Sequence, residues 1–418
     1  LSLHRPDAVA DAAGPVAEAA RQPLLDLLRG FALLGVFMMN IDFFARPLLD
    51  FGTGMAAGEG LDAVAAWLVY VFVQGKFWVL FALLFGIGFA LMRERAQRAG
   101  RPFIGPFLRR LLLLALFGIA HIVLLWPGDI LLAYALAALG LLLFADLRGA
   151  AAGLLGAALY LGVALLWGLS GLFLLNAPEA VLADIRAGLA DFAAHVDAAA
   201  VVYASGDFAA ITRQRIADYR VFLGSGLVFQ LPMMLGVFLI GRWLVDSGRL
   251  RDPAAHRGFF SGLALVGLLL GATGVLASLS FGTRFDAVTE AGQATLAQAW
   301  MAAGSLPLSL AYLALFVLLA TTAAGARLLG LLAPAGRMAL TLYLMQSLLA
   351  SLVFYGYGLG LAGELGRAAQ LGFVLLVFAL QLLFAHWWLA RFQFGPMEWL
   401  WRAGTYGYWP PLRRFAAA

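Results

Sequence analysis

From Leu24 onward the chain is a succession of charge-poor apolar runs separated by short clusters of arginine, glycine and proline. Each run approaches the ~20 residues that one helix needs to cross a hydrocarbon layer roughly 30 Å thick. Ten crossings are expected: Leu24 to Phe44, Trp67 to Met92, Leu111 to Trp126, Ile130 to Ala145, Ala150 to Leu175, Val221 to Gly241, Gly258 to Phe281, Trp300 to Ala324, Met338 to Tyr357 and Ala368 to Ala390. The fourth is the shortest. One connection, Asn176 to Arg220, is long enough to have structure of its own. In it Val181, Ile185, Leu189, Phe192 and Val196 recur at helical spacing, with Glu179, Asp184, Asp191 and Asp197 on other faces. This predicts an amphipathic helix lying in the interface. Residues 1–23 mix alanine, proline and charge and are expected to form a solvated tail. The expected fold is thus all-α: a polytopic bundle over 24–390 with an extracytoplasmic loop at 176–220, followed by a cytoplasmic tail at 391–418.

Composition sharpens this. At 63% hydrophobic and 12% charged, the chain departs from the roughly 45–50% and about 25% of soluble domains, which excludes a water-soluble globule. Cysteine is absent, so disulfides, a thiol nucleophile and thiolate metal sites are excluded. The formal charge of +5 comes from 27 Arg and a single Lys, and most of these sit at the ends of apolar runs. Arg93, Arg95, Arg98, Arg101, Arg109 and Arg110 lie between the second and third runs, and Arg242, Arg249, Arg251 and Arg257 between the sixth and seventh. The positive-inside rule puts both loops in the cytoplasm. Alternation then leaves 20 Arg inside against 7 Arg and Lys76 outside, with both termini cytoplasmic. The basic balance therefore reflects topology; membrane lipids are the expected partners, and nucleic acid is not. No internal repeat is visible, which counts mildly against a transporter built from inverted repeats.

Ionisable groups inside apolar runs cost ~2.5–3.5 kcal/mol on insertion scales and are functional candidates by default. Asp26 and Arg29, three apart at the start of the first run, share a helix face and can pair. Asn40 and Asp42 stand at its other end, and Asn40 is favoured to point into the bundle. Lys76, in the second run, follows Gly75, where the helix can break; it is either a snorkelling residue or a fixed positive charge in a cavity. His121 lies in Phe117-Gly-Ile-Ala-His-Ile-Val with no other ionisable group between Arg110 and Asp129. It is either a satisfied interior imidazole or a proton acceptor near neutral pH. Asp129 ends the turn Trp126-Pro-Gly-Asp, where it can cap the next helix or fold back toward His121. Tyr134, Gln230 and Gln346 are further polar atoms that can line a cavity. His4, His195, His256 and His386 are set aside. No His or carboxylate pair has metal-ligand spacing on one helix face, so no metal is expected. Gly86 and Gly88 lie within a run and favour close helix packing over phosphate binding.

These residues carry a resemblance. Leu25-Asp-Leu-Leu-Arg-Gly with Asn40, Gly75-Lys-Phe with Leu83-Leu-Phe-Gly, and His121 with Trp126-Pro-Gly-Asp-Ile-Leu and Tyr134 resemble the YeiB family of bacterial inner-membrane proteins. Gly336-Arg-Met-Ala-Leu-Thr with Tyr343 and Gln346, and Phe394-Gly-Pro-Met-Glu-Trp-Leu-Trp-Arg, extend it to about Tyr406. Leu342 stands where that family usually has Asn. The family is similar to membrane acyltransferases such as heparan-alpha-glucosaminide N-acetyltransferase and the acyltransferase-3 proteins, which share the Asp-x-x-Arg-Gly opening. Those enzymes use a His near the outer end of the first span or in the loop after it, where this chain has Asn40.

The resemblance implies transfer of an acyl group from cytoplasmic acyl-CoA to an extracytoplasmic sugar, amine or lipid. In that scheme His121 deprotonates the acceptor, Asp129 orients the imidazole, and Asn40 or Lys76 stabilises the oxyanion. Arg29, Arg109, Arg110 and Arg337 are the candidates for holding donor phosphates. The other reading is a proton-coupled transporter, or a membrane protein binding a small solute or lipid, with the same polar residues as its site.

Overall fold

The computed structural model describes residues 23–55 and 57–414. The expected N-terminal tail therefore lies outside the described residues except for Pro23. Fourteen main helices follow in order: α1 Pro23–Asn40, α2 Gly60–Phe72, α3 Lys76–Arg98, α4 Ile104–Leu124, α5 Leu131–Leu143, α6 Ala150–Asn176, α7 Glu179–Ser205, α8 Phe208–Ser225, α9 Leu227–Asp246, α10 Arg257–Phe281, α11 Ala291–Ala320, α12 Ala339–Phe354, α13 Arg367–Arg391 and α14 Pro396–Tyr406. Short helical turns at Asp42–Ala45, Leu48–Thr53, Ala323–Gly330 and Ala333–Arg337 join some of them. The described residues contain no strand, so the all-helical expectation holds.

Among the described residues, 9 helical segments are long and apolar enough to cross a membrane. Eight of them fall on expected runs. The fourth and ninth runs form α5 and α12, of 13 and 16 residues, about 20 and 24 Å at 1.5 Å per residue. α12 is mostly buried by other helices, whereas α5 is about half buried and exposes Leu136, Leu139 and Leu143. The ninth segment is α7, inside the loop expected to lie flat. Its 27 residues provide a sufficiently long window despite the acidic residues that dominated the sequence reading. The stripe on α7 approaches the bundle gradually: Val181 is exposed, Ile185, Leu189 and Phe192 are half-buried, and Val196 is buried.

The second run is not continuous. Gly75 adopts φ +80°, a left-handed conformation that suits glycine, between the end of α2 and the start of α3. Lys76 is consequently the first residue of a new helix, not a residue deep within one. Of the two glycines expected to permit close packing, Gly86 does so, since a Cβ there would strike the Phe238 carbonyl; Gly88 faces open space. Leucines on the far sides of α6, α10 and α13, such as Leu165, Leu269 and Leu383, are exposed and form the apolar exterior expected of a lipid-facing surface.

The C-terminal segment is not a free tail. Its α14 docks on the bundle through Glu398, whose Oε1 accepts the amides of Leu340 (2.7 Å) and Thr341 (3.0 Å). Its Oε2 accepts the Thr341 hydroxyl at 2.6 Å. The first amides of a helix have no partner within it, and here a carboxylate from a segment 57 residues away in sequence satisfies two of them on α12. Burial raises the Glu398 pKa above the ordinary carboxylate range, opposed by the bonds from Thr341 and Leu340. Trp401, on the same helix, donates to the Arg110 carbonyl at 3.0 Å. Glu398→Ala is expected to lower stability by about 1–3 kcal/mol because it strands these donors. Glu398→Gln, which keeps an acceptor oxygen, should lose less. Thermal unfolding of the two purified variants in detergent measures the difference.

Candidate functional site

The site begins with a turn. Beyond His121, in the last turn of α4, the chain leaves the helix and Trp126 anchors it, donating to the Phe43 carbonyl (3.1 Å) and stacking on Phe44 at 4.7 Å. Pro127 and Gly128 then reverse the chain, which brings Asp129 back beside α4. Asp129 Oδ1 accepts the Leu132 amide at 2.7 Å and so caps the start of α5. Close approach depends on Gly118, one turn before His121: a Cβ there would lie 2.7 Å from Asp129 Oδ1 and 2.5 Å from the Leu132 amide nitrogen.

The second carboxylate oxygen, Oδ2, stands 2.9 Å from His121 Nδ1. The contact is an electrostatic pair, with the oxygen off the line of the ring N–H. On the other side of the ring, Nε2 is 2.8 Å from Ser347 Oγ on α12. The side chains of His121 and Asp129 are 0% exposed. An ionised carboxylate beside Nδ1 favours the tautomer that carries its proton there, and in that tautomer Nε2 is an acceptor. In that tautomer the Ser347 hydroxyl donates to Nε2. Tyr343, four residues before Ser347 on the same face of α12, has its ring 5.1 Å from the imidazole. The result is a buried Asp129–His121–Ser347 relay assembled from the α4–α5 turn and α12.

Two phenols complete the surroundings. The Tyr219 hydroxyl, on α8, is buried without a protein hydrogen-bond partner, the Tyr343 hydroxyl lies by the Ile130 backbone amide, and both are within electrostatic range of Asp129. Burial pushes the Tyr219 phenol up to about 12, with the Asp129 charge adding. It is therefore a neutral donor across the physiological range. Helix α8 closes this end of the site. Its Arg215, fully buried, donates to the Val123 carbonyl (2.9 Å) and to the Tyr357 hydroxyl (3.3 Å) amid the rings of Phe208, Tyr355 and Tyr357. Asp218, one turn on, accepts from Tyr203 (2.7 Å), Gln214 (2.7 Å) and His195 (2.9 Å), which ties α8 to α7. His195, set aside in the sequence reading, is thus part of the lid's anchorage.

The remaining sequence candidates divide by location. Lys76 is fully buried and donates to the Tyr70 carbonyl (3.2 Å) and Met301 Sδ (3.1 Å), sharing no partner with His121. A shallow cavity lined by Gly54, Tyr70, Gln74, Trp167 and Phe285 borders this second cluster rather than the imidazole. Gly75 starts α3 so that Lys76 meets Met301 on α11. Asn40 is buried at the end of α1, beside the network in which Asp42 meets Arg46 at 2.8 Å and Arg367 at 3.9 Å. Tyr134 donates to the Trp78 carbonyl at 3.2 Å. Gln346 donates to Gln381 at 3.0 Å, and Gln381 donates to the Leu342 carbonyl at 3.0 Å, a role that needs no amide at position 342.

The donor candidates gather at the other end of α4. Arg29 pairs with Asp26 at 2.8 Å. The Arg110 guanidinium lies 3.7 Å over the Trp401 ring and within electrostatic range of Arg29 and Arg402. Arg337 donates to the Gln393 carbonyl at 3.4 Å, and Arg109 is exposed near the end of α14. Sequence reasoning missed Ser347, Arg215 and Tyr219. Serines are common in helices, and only the four-residue spacing from Tyr343 hinted that Ser347 shares its face.

The chain is 33% identical over 417 residues to an uncharacterized protein, YxaH, from Bacillus subtilis (strain 168), covering 96% of this chain and 98% of that relative. It is also 33% identical over 403 residues to the uncharacterized protein YeiB of Escherichia coli (strain K12), covering 92% and 96%. The chain belongs to the YeiB family. A family model described as "Protein of unknown function (DUF418)" matches residues 244–408, which include Ser347 and Glu398 but neither His121 nor Asp129. The full-length match to the YeiB relatives spans both halves of the relay. No solved structure matches the chain.

The geometry makes Gly118 a sensitive position. Gly118→Ala is expected to cost about 1–3 kcal/mol by pushing Asp129 and Leu132 away from α4. Gly88→Ala, where a Cβ meets nothing within 4 Å, should change stability little or raise it slightly. Melting temperatures of the two variants, compared with the parent, report the contrast.

Proposed function

We propose that this protein is an acyltransferase of the bacterial inner membrane, moving an acyl group from cytoplasmic acyl-CoA to a hydroxyl or amine acceptor on the other side, a surface sugar, an amine or a lipid. The observation that carries this reading is the imidazole of His121 held between a carboxylate and a hydroxyl. A buried imidazole in that setting is a general base: Asp129 fixes its tautomer and stabilises the imidazolium that forms when Nε2 takes a proton. Developing negative charge on the acyl oxygen calls for preorganised donors. The Tyr219 and Tyr343 hydroxyls, both within electrostatic range of Asp129, are the donors we assign, whereas Lys76 is bonded to Tyr70 and Met301.

The arginines support the donor side. Arg110 and His121 lie on one helix, eleven residues or about 16 Å apart by rise, a separation of the order of an extended phosphopantetheine arm. A donor whose phosphates rest near Arg29, Arg109, Arg110 and Arg337 would bring its thioester toward the imidazole. The second reading, proton-coupled transport of a small solute or lipid, draws on the closure of the relay by α8 at one end, as in an occluded state.

If the transfer reading holds, acetyl-CoA or a longer acyl-CoA raises the melting temperature of the detergent-purified protein. A ligand binding only the folded state at a hundred times its Kd adds about 2.7 kcal/mol. His121→Ala should remove thiol release from the donor by about 10²–10⁴-fold while leaving folded protein. Full activity in that variant would make the imidazole structural. No shift with any acyl-CoA, joined to proton-dependent uptake in vesicles, would select transport.

A further inference from the structure

Ser347 faces an imidazole, whereas several other serines in these helices bond to the main chain. Ser170, Ser280, Ser305 and Ser351 each give the hydroxyl proton to a main-chain carbonyl three or four residues earlier, and Ser309 donates to the Ser305 and Lys76 carbonyls. That is the ordinary way to satisfy a hydroxyl in an apolar helix. Ser347 instead points at His121 Nε2, at 2.8 Å, and with the ring proton on Nδ1, on the side of Asp129, the imidazole is the acceptor. Its oxygen is buried, mid-helix, and held on α12 by the Glu398 cap at the helix start. An oxygen whose proton is directed to a base that is itself oriented by a carboxylate is an activated nucleophile.

We propose that Ser347 carries the acyl group as an ester between donor and acceptor, which rests on the acyl-transfer reading above. In the first half-reaction, Ser347 Oγ attacks the thioester carbonyl carbon as Nε2 takes the hydroxyl proton. The C–S bond breaks, its electron pair leaves on sulfur, and the imidazolium returns the proton to give the free thiol. In the second, the acceptor's hydroxyl or amine attacks the ester carbon and gives its proton to Nε2. The C–Oγ bond then breaks and Oγ recovers the proton. No oxidant or further reactant is needed.

The surroundings favour two steps over one. Donor phosphates would sit at the arginine end of α4, while the opposite end is covered by α8 through Arg215. The relay between them is closely packed, with Tyr343, Trp126 and Ser347 against the imidazole. A covalent carrier allows the two substrates to use this confined space in turn.

The test uses the full chain in detergent, without acceptor. It is incubated with acetyl-CoA and, separately, with a fluorophosphonate, then digested and analysed by peptide mass spectrometry. One acetyl group on the Ser347 peptide, absent in Ser347→Ala and in His121→Ala, is expected. Fluorophosphonate should modify the same residue. Ser347→Cys tests for a merely structural hydroxyl, because its acetyl adduct would be a thioester released by neutral hydroxylamine, unlike the wild-type ester. Thiol release that persists in folded Ser347→Ala, with no label at Ser347 in the parent, overturns the carrier and leaves transfer standing. Fluorophosphonate labelling of Ser347 without release from any acyl-CoA supports the nucleophile and overturns the CoA donor. Neither labelling nor release overturns the carrier and leaves transfer standing, since direct transfer frees no thiol without an acceptor.

Discussion

Helix starts inside an apolar bundle leave amides that water cannot reach, and this protein satisfies the critical ones with carboxylates borrowed from other segments. Asp129 caps α5 from the preceding turn, Glu398 caps α12 from the C-terminal helix, and Asp62 on α2 accepts the Ala368 amide at the start of α13, at 2.8 Å. An unpaired amide or carboxylate in such surroundings costs several kcal/mol, so each pairing removes two penalties together. The caps also fix where the helices begin. Because α12 starts against Glu398, its face bearing Tyr343 and Ser347 meets α4 in register with His121.

Asp129 shows how one constraint produces chemistry. A carboxylate recruited for capping needs only one oxygen for the Leu132 amide; the other is free to face a neighbouring group. Gly118 leaves room for the approach, and His121 occupies the adjoining turn. The relay thus arises from a structural cap with one oxygen to spare. Burial strengthens the coupling of its members, since charges and dipoles act at lower effective dielectric inside the bundle than at its rim.

The polar groups fall into sets at different depths. Arginines surround the end of α4 next to α14, the relay lies toward the opposite end of that helix, and α8 seals it through a buried guanidinium among three aromatic rings. Lys76 bonds to the Tyr70 carbonyl and to Met301 on α11. For the proposed transfer this arrangement gives the donor and acceptor different approaches to one imidazole.

How much of this was legible in the chain follows from the range of each force. Apolar run length and arginine placement are local properties, so eight of the long helices, the all-α class, the Asp26–Arg29 pair and the prominence of His121 and Asp129 could be read from sequence. The break at Gly75 was legible as an option, and the family from ordered motifs. The helix at Glu179–Ser205 was legible as a helix but not as a segment long enough to cross. What the tertiary structure alone decided is which polar atoms meet. His121 and Ser347 are 226 residues apart, and Arg215 reaches Val123 across 92; no period or spacing encodes such pairs. They form because helix packing brings distant faces together and burial then requires each polar atom to find a partner there.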